Sequence, residues 1–465
     1  MSKTYRPYEP RQSFLLPPSP LDWLPAGHLA LFLLDVVEEL DLRPILASYE
    51  REPRGYPPHH PRMMVALLLY AYCLGVPSSR KIEKRTQEDI AFRVLTGNTQ
   101  PHYSCISEFR RVHLEALAGL FLQVLKLCQA AGLVKLGHVA LDGTKLKANA
   151  SKHKAMSYDR MKEKEEALCQ KVQELLDAAE AADQQDDARL GRDRRGDELP
   201  KELERAETRR ARIRQLREHL EEEARHQAQA EQEHAQQKEA AAQAEAATQV
   251  VEPPAPAELP THQVPRTKEG LPTDKAQRNF TDGDSRIMKM GDGFVQGYNC
   301  QAAVDQEHQI IVAQAVTNQA PDAEHLEPML DQVQDNLGQS PKKASADAGY
   351  FSERNVVAAE ERGVDAYIAP GRCKHEDPTP APRGRKPKGM TLRETMARKL
   401  ATKKGRQEYA KRKTIVEPCF GQIKNRGFRQ FLLRGLPKVR GEWSLMTLTH
   451  NLLKLYHARQ MAAAA

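Results

Sequence analysis

The chain has 465 residues, enough for two or three domains, and 40% of them are hydrophobic and 6% aromatic. Both fractions are low for one compact core, so part of the chain is expected to form solvated helix or linker. No stretch reaches about 18 consecutive apolar residues, and the polar start lacks the apolar core of a secretory signal, so we expect no membrane contact. The seven scattered cysteines form no C-x-x-C pair, which argues against a zinc ribbon or disulfide scaffold and favours reduced thiols in a cytoplasm.

Residues 1–130 are predicted to form a helical domain. The run PRMMVALLLYAYCLG is apolar on most faces, which indicates a buried helix that ends at Gly75. Further helices are predicted for SSRKIEKRTQEDIAFRVLTG and for the segment that starts near Ser104 or Ser107. Short helices with surface cations are typical of helix-turn-helix-like DNA-binding modules, and a plain helical bundle with solvated charges is the alternative. The cations concerned are Arg80, Lys81, Lys84, Arg85, Arg110 and Arg111.

The segment 131–153 has a different character. In LGHVALDGTKLKA the apolar run ends at Asp142, and Gly143 follows. This pattern predicts a short buried strand that ends in a carboxylate.

Residues 154–272 are predicted to be a helical, coiled insertion followed by a linker. Residues 154–250 are rich in Ala, Glu, Gln, Lys and Arg and have no aromatic residue after Tyr158. Two long helices folded into a hairpin, with arms of roughly 50–75 Å, account for this composition. We expect the hairpin to be solvated, to serve dimerisation or synapsis of the transposon ends, and to be removable without unfolding the rest. The many prolines of residues 251–272 indicate the linker.

Residues 273–370 are predicted to be α/β structure. The segment FVQGYNCQAAVDQEHQIIVAQAVT indicates two strands around a turn at 305–308. A helix should run from Pro321 to Gly338, and KKASADAGY should be a strand that ends at Asp347. A second helix, capped by Ser352 and ended by Gly363, then leads to the strand VDAYIAP.

The last hundred residues are strongly basic. Residues 371–402 are predicted to be a basic loop, and residues 403–465 a C-terminal helical region. Between Gly371 and Arg440 there are 21 Lys and Arg against five Asp and Glu. A local excess of this size indicates contacts with phosphate, although a solvated basic loop is the alternative for residues 371–390.

Three carboxylates are the candidates for chemistry: Asp142, Asp347 and Glu417. The two aspartates are predicted to end strands, and the glutamate lies in the C-terminal helical region. If the fold brings them together, they will repel one another unless a divalent cation lies between them, and oxygen ligands alone suit Mg²⁺ or Mn²⁺. Taken singly, each acid is more simply a turn or cap residue.

A helical spacing adds to this pattern. Tyr409, Lys413, Glu417 and Lys424 fall at about 0°, 40°, 80° and 60° around one continuous helix, which is a single narrow face. Such a face can ligate metal and contact phosphate, although surface ion pairs are the alternative. Pro418 requires that the helix kinks there or begins near Glu417.

These motifs resemble those of the DDE-type transposases of bacterial insertion sequences. The resemblance extends over nearly the whole chain, through VALDGTKLKANASKHKAMSYDRM, NFTDGDSRIMK, GFVQGYNCQAAVD and TIVEPCFGQIKNRGFRQFLLRG. It implies an α+β, RNase H-like catalytic core formed by residues 131–153 and 273–370. A helical N-terminal DNA-binding domain would precede this core, and the long helical hairpin would be inserted into it.

The resemblance also implies an activity, which is metal-dependent strand cleavage and strand transfer at transposon ends. Asp142, Asp347 and Glu417 would be the catalytic, metal-binding triad for Mg²⁺ or Mn²⁺, with two ions about 3.5–4 Å apart. The partners would be double-stranded DNA, at transposon ends and target, and further copies of the chain, as a homodimer or larger assembly on nucleoid DNA. A catalytically inactive regulator or synapsis scaffold is the alternative.

The phosphate-contacting residues follow in part from the same motif. Tyr409 and Lys424 match the family's tyrosine and lysine, whereas both Arg412 and Lys413 are candidates for its arginine. Four further cations of the basic loop are expected to hold the DNA backbone. They are Arg383, Arg385, Lys386 and Lys388.

Overall fold

The computed structural model describes residues 19–50, 57–190, 201–245, 258–291, 293–371 and 389–464, together with 382, 384 and 387. Arg383, Arg385, Lys386 and Lys388, the predicted backbone contacts, lie outside the described residues. The chain divides into two compact units. The first contains residues 1–127 and 448–465, and the second contains residues 128–447.

The first unit is helical. Its helices are α1 (Leu29–Glu39), α2 (Arg43–Glu50), α3 (Pro61–Cys73), α4 (Ser79–Glu88), α5 (Ile90–Leu95), α6 (Tyr103–Val112) and α7 (Leu114–Ala130). The predicted buried helix is confirmed, because 11 of the 13 residues of α3 are buried. The helix predicted for residues 78–97 is divided at Asp89, whose side chain accepts a hydrogen bond from the Ala91 N–H and so caps α5. Among the described residues no single helix could cross a membrane; α6 and α7 pass that test only as a pair bent by 72°.

Arg110 is not a surface cation of the helical domain. It is buried, and its guanidinium donates to the Tyr72 hydroxyl (3.2 Å), the Pro77 carbonyl (2.6 Å) and the Ser79 hydroxyl (3.3 Å). The expectation that Arg110 faces DNA is therefore wrong. The periodicity of α6 could not show this, because a cation on a helix is buried only when distant oxygen atoms satisfy it.

The second unit contains a mixed sheet and the remaining helices. In chain order the strands are β1 (Val139–Lys147), β2 (Ala155–Ser157), β3 (Gln277–Asn279), β4 (Arg286–Met290), β5 (Gly293–Asp305), β6 (Ile311–Thr317), β7 (Lys343–Ala346) and β8 (Asp365–Ile368). The helices are α8 (Tyr158–Leu190), α9 (Lys201–Glu245), α10 (Leu326–Leu337), α11 (Glu353–Glu361), α12 (Leu392–Ala401), α13 (Lys403–Ile415), α14 (Glu417–Asn425) and α15 (Leu436–Ala464), the end of which belongs to the first unit.

The main sheet has six strands in the order β4-β5-β1-β7-β8, with β6 paired to β5. The strands β1, β7 and β8 are mutually parallel, whereas β5 is antiparallel to β1, β4 and β6. The expected combination of α and β structure is confirmed. The strands β2 and β3 form a separate two-stranded ribbon.

Several predicted elements of the α/β region are confirmed with their caps. The β5–β6 hairpin turns after Asp305, and Gly338 ends α10 in the left-handed conformation (φ 72°). The Ser352 hydroxyl accepts from the Asn355 N–H and caps α11. Pro328 does not kink α10, because it lies in the first turn, where the backbone N–H groups have no partner within the helix.

The predicted hairpin is formed by α8 and α9, but its base is built into the second unit. Tyr158 at the start of α8 and Leu220 and Ala224 of α9 share a buried cluster with Val264 and Ala276. The Glu223 carboxylate also pairs with Arg278 (2.7 Å) and Arg286 (3.1 Å), whose side chains are only 12% and 8% exposed. Removal of the whole hairpin would break these contacts, so they argue against the expectation that it can be deleted without unfolding the rest, which stays a prediction.

Glu223→Gln should lower the free energy of unfolding by about 2–3 kcal/mol, because two nearly buried guanidinium groups would lose their charged partner. Glu222→Gln is the matched control, since the Glu222 side chain is 66% exposed and pairs only with His219 at 3.7 Å. Urea unfolding of both variants at pH 7.5 measures the difference. Equal loss in the two variants would show that the Glu223 pairs do not stabilise the hairpin base.

Candidate active site

Asp142 lies inside a strand and not at its end. β1 continues through Lys147, and its pairing with β5 runs without interruption from Val139 opposite Asp305 to Lys147 opposite Gly297. The prediction of a strand that ends at Asp142 is therefore wrong. The polar residues after Asp142 read as a strand end in sequence, whereas backbone hydrogen bonds to β5 extend the strand past them.

Asp347 follows β7 directly, as predicted. Its carboxylate accepts a hydrogen bond from the Gly349 N–H (2.8 Å) and caps a short 3-10 turn. β7 pairs in parallel with β1, with Val139 opposite Ala344 and Ala140 opposite Ser345. Continued by two residues, this register places Asp347 level with Asp142. The sheet therefore brings these two predicted acids side by side.

Arg412 connects the first acid with the third. Its guanidinium donates to Asp142 Oδ2 (2.9 Å) and lies 3.7 Å from Glu417 Oε1. The Arg412 and Asp142 side chains are 12% and 16% exposed, whereas that of Glu417 is 51% exposed. The Arg412 guanidinium also lies 6.0 Å from the centre of the Tyr409 ring, and Lys413 is exposed.

The helix that carries these residues is broken. α13 ends at Ile415, Val416 is the junction, and α14 begins at Glu417 with Pro418 as its second residue. The prediction of one face shared by Tyr409, Lys413, Glu417 and Lys424 on a single helix is therefore wrong. Pro418 begins a helix without loss of a hydrogen bond, which confirms the alternative that a helix starts near Glu417.

Lys424 reaches the same strand from α14. Its ammonium group donates to the Thr144 hydroxyl (2.6 Å), and Thr144 lies two residues after Asp142 on the same face of β1. Burial lowers the pKa of Lys424, while the nearby charge of Asp142 acts in the opposite direction. Lys424 is therefore a half-buried cation beside the acidic pair.

A further carboxylate, Asp322, was missed by the sequence analysis. It accepts hydrogen bonds from Lys145 (3.2 Å), Asn299 (2.7 Å) and Gln301 (2.8 Å). A Cβ atom at Gly143 would lie 2.8 Å from Asp322 Oδ1 and 2.5 Å from Gln301 Nε2, so a side chain there would collide with this network. The available signal was the pair Asn299 and Gln301, two amides on one face of an otherwise apolar strand.

A buried network holds α13 against the sheet. His138, just before β1, bonds through Nδ1 to Glu408 of α13 (3.1 Å) and through Nε2 to the hydroxyl of Ser345 in β7 (2.9 Å). Although burial opposes it, hydrogen bonds from Lys343, Lys411 and His138 lower the pKa of Glu408 to about 2. Ser345 is fully buried, so this Ser–His–Glu arrangement is not a nucleophile. It positions the helix from which Arg412 projects.

The acidic pair is electrostatically strained. Burial raises the pKa of Asp142 to about 6, and the charges of Asp347 and Asp322 add to the rise. Arg412 and the Gly143 N–H partly offset it. A carboxylate with these neighbours binds either a proton or a further cation more readily than an exposed carboxylate does.

The oxygen donors of Asp142 and Asp347 fit a hard divalent cation such as Mg²⁺ or Mn²⁺. Glu417 is separated from Asp142 by the Arg412 guanidinium. Accordingly, within the part of the chain that the structure describes, no three His, Cys, Asp or Glu side chains are grouped closely enough to hold a metal ion.

The site thus contains two neighbouring carboxylates, those of Asp142 and Asp347, with the cations of Arg412 and Lys424 beside them. An acidic centre flanked by cations is suited to chemistry on phosphate groups. Residues 261–452 match the family model described as the transposase DDE domain, and residues 19–112 match the transposase domain DUF772. The resemblance to DDE-type insertion-sequence transposases is thereby confirmed. No curated protein and no solved structure matches the chain. The DDE match includes Asp347 and Glu417, whereas Asp142 lies between the two matched segments.

Asp142→Asn should stabilise the metal-free protein at pH 7.5 by up to about 3 kcal/mol, the equivalent of two pKa units. The folded-state pKa is raised, so the ionised carboxylate destabilises the fold above about pH 6, and this penalty disappears as the pH falls towards 4. Thermal unfolding in EDTA between pH 4 and 8 measures the gain. The exposed Asp335→Asn is the control, and a gain for Asp142→Asn that does not change with pH would contradict the prediction.

Proposed function

We propose that this protein is a DNA transposase that binds the ends of an insertion sequence and catalyses metal-dependent strand cleavage and strand transfer. The observation that carries the proposal is the register of β1 and β7, which sets Asp142 level with Asp347 beside Lys424 and Arg412. The transposase DDE match over residues 261–452 supports the same reading. The substrate is double-stranded DNA at the transposon ends and at the target.

The core is proposed to be RNase H-like. The strand order β6-β5-β1-β7-β8 supports it, with an antiparallel β6-β5-β1 half and a parallel β1-β7-β8 half. In this arrangement the central strand β1 carries one acid, and its parallel neighbour delivers the second at its carboxyl end. The hairpin of α8 and α9 is inserted between β1 and the strands that complete the sheet.

Asp142 and Asp347 would hold the divalent cations, and Glu417 would complete the site. When bound, Mg²⁺ or Mn²⁺ supplies the charge neutralisation and Lewis acidity that phosphodiester cleavage requires. Two ions are proposed, as in other sites that displace a leaving oxygen in line. Until the cation binds, the Arg412 guanidinium partly offsets the negative charges of Asp142 and Glu417.

The cations of the site would act on the scissile phosphate. Lys424 is fixed by its hydrogen bond to Thr144, so its remaining protons can reach a non-bridging phosphate oxygen without a loss of side-chain entropy. Arg412 presents a planar fork that suits bidentate contact with phosphate, and Tyr409 flanks it. Lys413 is exposed and is the weaker candidate for the arginine of the motif.

The wider DNA contacts are proposed to come from the basic segment 371–440 and from exposed cations of the helical domain. Arg80, Lys84 and Arg85 of α4 are examples, although Lys84 and Arg85 already pair with Glu88 and Asp89. Assembly as a homodimer or larger complex on DNA is part of the proposal.

An inactive DNA-binding regulator is the second candidate, and the contact between Arg412 and Glu417 favours it. In this contact Glu417 faces the guanidinium, and among the described residues it is not grouped with the acidic pair as a metal site. Such a protein would bind the ends and leave them intact with or without Mg²⁺. Metal-dependent cleavage is therefore the observation that separates the two functions.

Asp142→Ala, Asp347→Ala and Glu417→Ala should each lower the rate of end cleavage in Mg²⁺ by about 10³-fold or more, because the charge that develops on the phosphate would lose its stabilising cation. Binding of the ends in EDTA should stay within about twofold, since backbone contacts supply it. Labelled transposon ends, assayed by gel for cleavage and by anisotropy for binding, give both measurements. The exposed Glu353→Ala is the control. Near wild-type cleavage by a triad variant would remove that residue from the site.

Arg412→Ala should lower the cleavage rate by about 10²-fold, while Lys413→Ala should stay within about threefold of wild type. Arg412→Lys should be intermediate, because an ammonium group keeps the charge but cannot make a bidentate contact with phosphate. The same cleavage assay, run on the three variants side by side, decides between the two positions. A larger loss for Lys413→Ala than for Arg412→Ala would assign the role to Lys413.

A further inference from the structure

A basic groove lies between the base of the helical hairpin and the β2–β3 ribbon. Its volume is about 790 Å³, and Phe280 and Thr281, which follow β3, contribute to its lining. The groove continues along α9 into a second cavity of about 350 Å³ that shares Arg212, Phe280 and Thr281 and reaches Arg434. The cations of the first cavity are Lys154, Arg160, Lys164, Arg205, Arg209 and Arg212.

The groove cations have no acidic partner among the described residues. Among the side chains that the structure describes, none of the six forms an ion pair, and the single carboxylate in the lining of the first cavity is that of Glu204. The opposite side of the hairpin differs. There Glu165 pairs with both Arg214 and Arg217, and Glu221 pairs with Arg225. The unneutralised charge is therefore concentrated on the groove side.

The three groove cations of α9 form one stripe. Arg205, Arg209 and Arg212 are spaced by four and three residues, so they fall within about 60° of one another around the helix. The groove face of α9 extends from Arg205 to His219, which is roughly 21 Å at 1.5 Å per residue. At a rise of about 3.4 Å along the duplex axis for each phosphate of one strand, that length spans about six nucleotides.

Connected chain segments lead from the acidic site to this groove. β1 carries Asp142 and ends at Lys147, which pairs with Gln430, and the chain then passes through Asn149 to Lys154. The Asn149 carbonyl accepts a hydrogen bond from Arg434 Nε (3.0 Å), and Arg434 lines the second cavity. A DNA strand that follows these segments would leave the acidic site in the direction of the groove.

We propose that this groove binds the sugar-phosphate backbone of duplex DNA, as a second contact of the protein with the transposon end. The inference deepens the proposed function and rests on it for the identity of the nucleic acid. It gives the hairpin a direct contact with the DNA backbone, in addition to the dimerisation or end synapsis that its composition suggested. The carboxylates of the second cavity are partly offset, because Asp284 lies 3.8 Å from the Arg278 guanidinium and Asp282 is buried.

The test neutralises the stripe and compares it with a matched set on the same helix. The groove variant combines Arg205→Gln, Arg209→Gln and Arg212→Gln. The control combines Arg210→Gln, Arg214→Gln and Arg225→Gln, which removes the same charge from the opposite side of α9. Anisotropy of a labelled 30-base-pair duplex in EDTA, from 50 to 300 mM KCl, gives the slope of log affinity against log salt for the full-length variants. Equal melting temperatures establish that both are folded.

For the groove variant the slope of log affinity against log salt should be less steep by up to about three, since each phosphate contact contributes about 0.9. The control should keep the wild-type slope. Identical slopes for the two variants would overturn the proposal, and a larger loss on an RNA duplex than on DNA would overturn its assignment to DNA. Cleavage by the wild-type protein in Mg²⁺, measured in parallel, separates the two claims. Absence of cleavage rejects the proposed function, whereas the slopes alone decide the groove.

Discussion

The burial of the Asp142 carboxylate, on the strand next to the one that leads to Asp347, is the electrostatic constraint on which the second unit depends. Asp142 is largely buried and lies level with Asp347, so its ionised form is costly without a cation nearby. The cations reach it from opposite ends of a broken helical segment, Arg412 from α13 and Lys424 from α14. The His138–Glu408 network in turn holds α13 against β1 and β7. The packing of α13 against the sheet, which does not involve the acids themselves, thus positions Arg412 beside Asp142.

Much of the fold could be predicted because its signals are local. A buried apolar run, a glycine that ends a helix and a serine that caps one are each readable within a few residues, as α3, α10 and α11 confirm. The hairpin was equally visible, since composition alone distinguishes a long solvated helix pair from a core. The sequence motifs identified Asp142, Asp347 and Glu417 as candidate acids. Only the register of β1 and β7 shows that Asp142 and Asp347 lie next to each other.

The errors share a physical cause, which is dependence on partners far away in sequence. Asp142 is interior to its strand because β5 supplies hydrogen bonds beyond it, and Arg110 is buried because Tyr72 and Pro77 satisfy it. Asp322 resembled an ordinary helix start, and only the folded sheet brings Lys145, Asn299 and Gln301 around it. A count of charges likewise could not separate paired cations of the hairpin from unpaired ones.

The hairpin insertion also affects the entropic cost of pairing β1 with β5. Asp142 pairs with Ala302, so β1 and β5 must close a loop of about 160 residues. The pairing of β2 with β3, Ser157 opposite Gln277, brackets the hairpin and shortens the remaining loop to about 40 residues. Two halvings of loop length lower the closure entropy cost by about 1.2 kcal/mol. Because the β2–β3 ribbon closes the hairpin segment, residues can be added at the hairpin tip without making β1 and β5 harder to bring together.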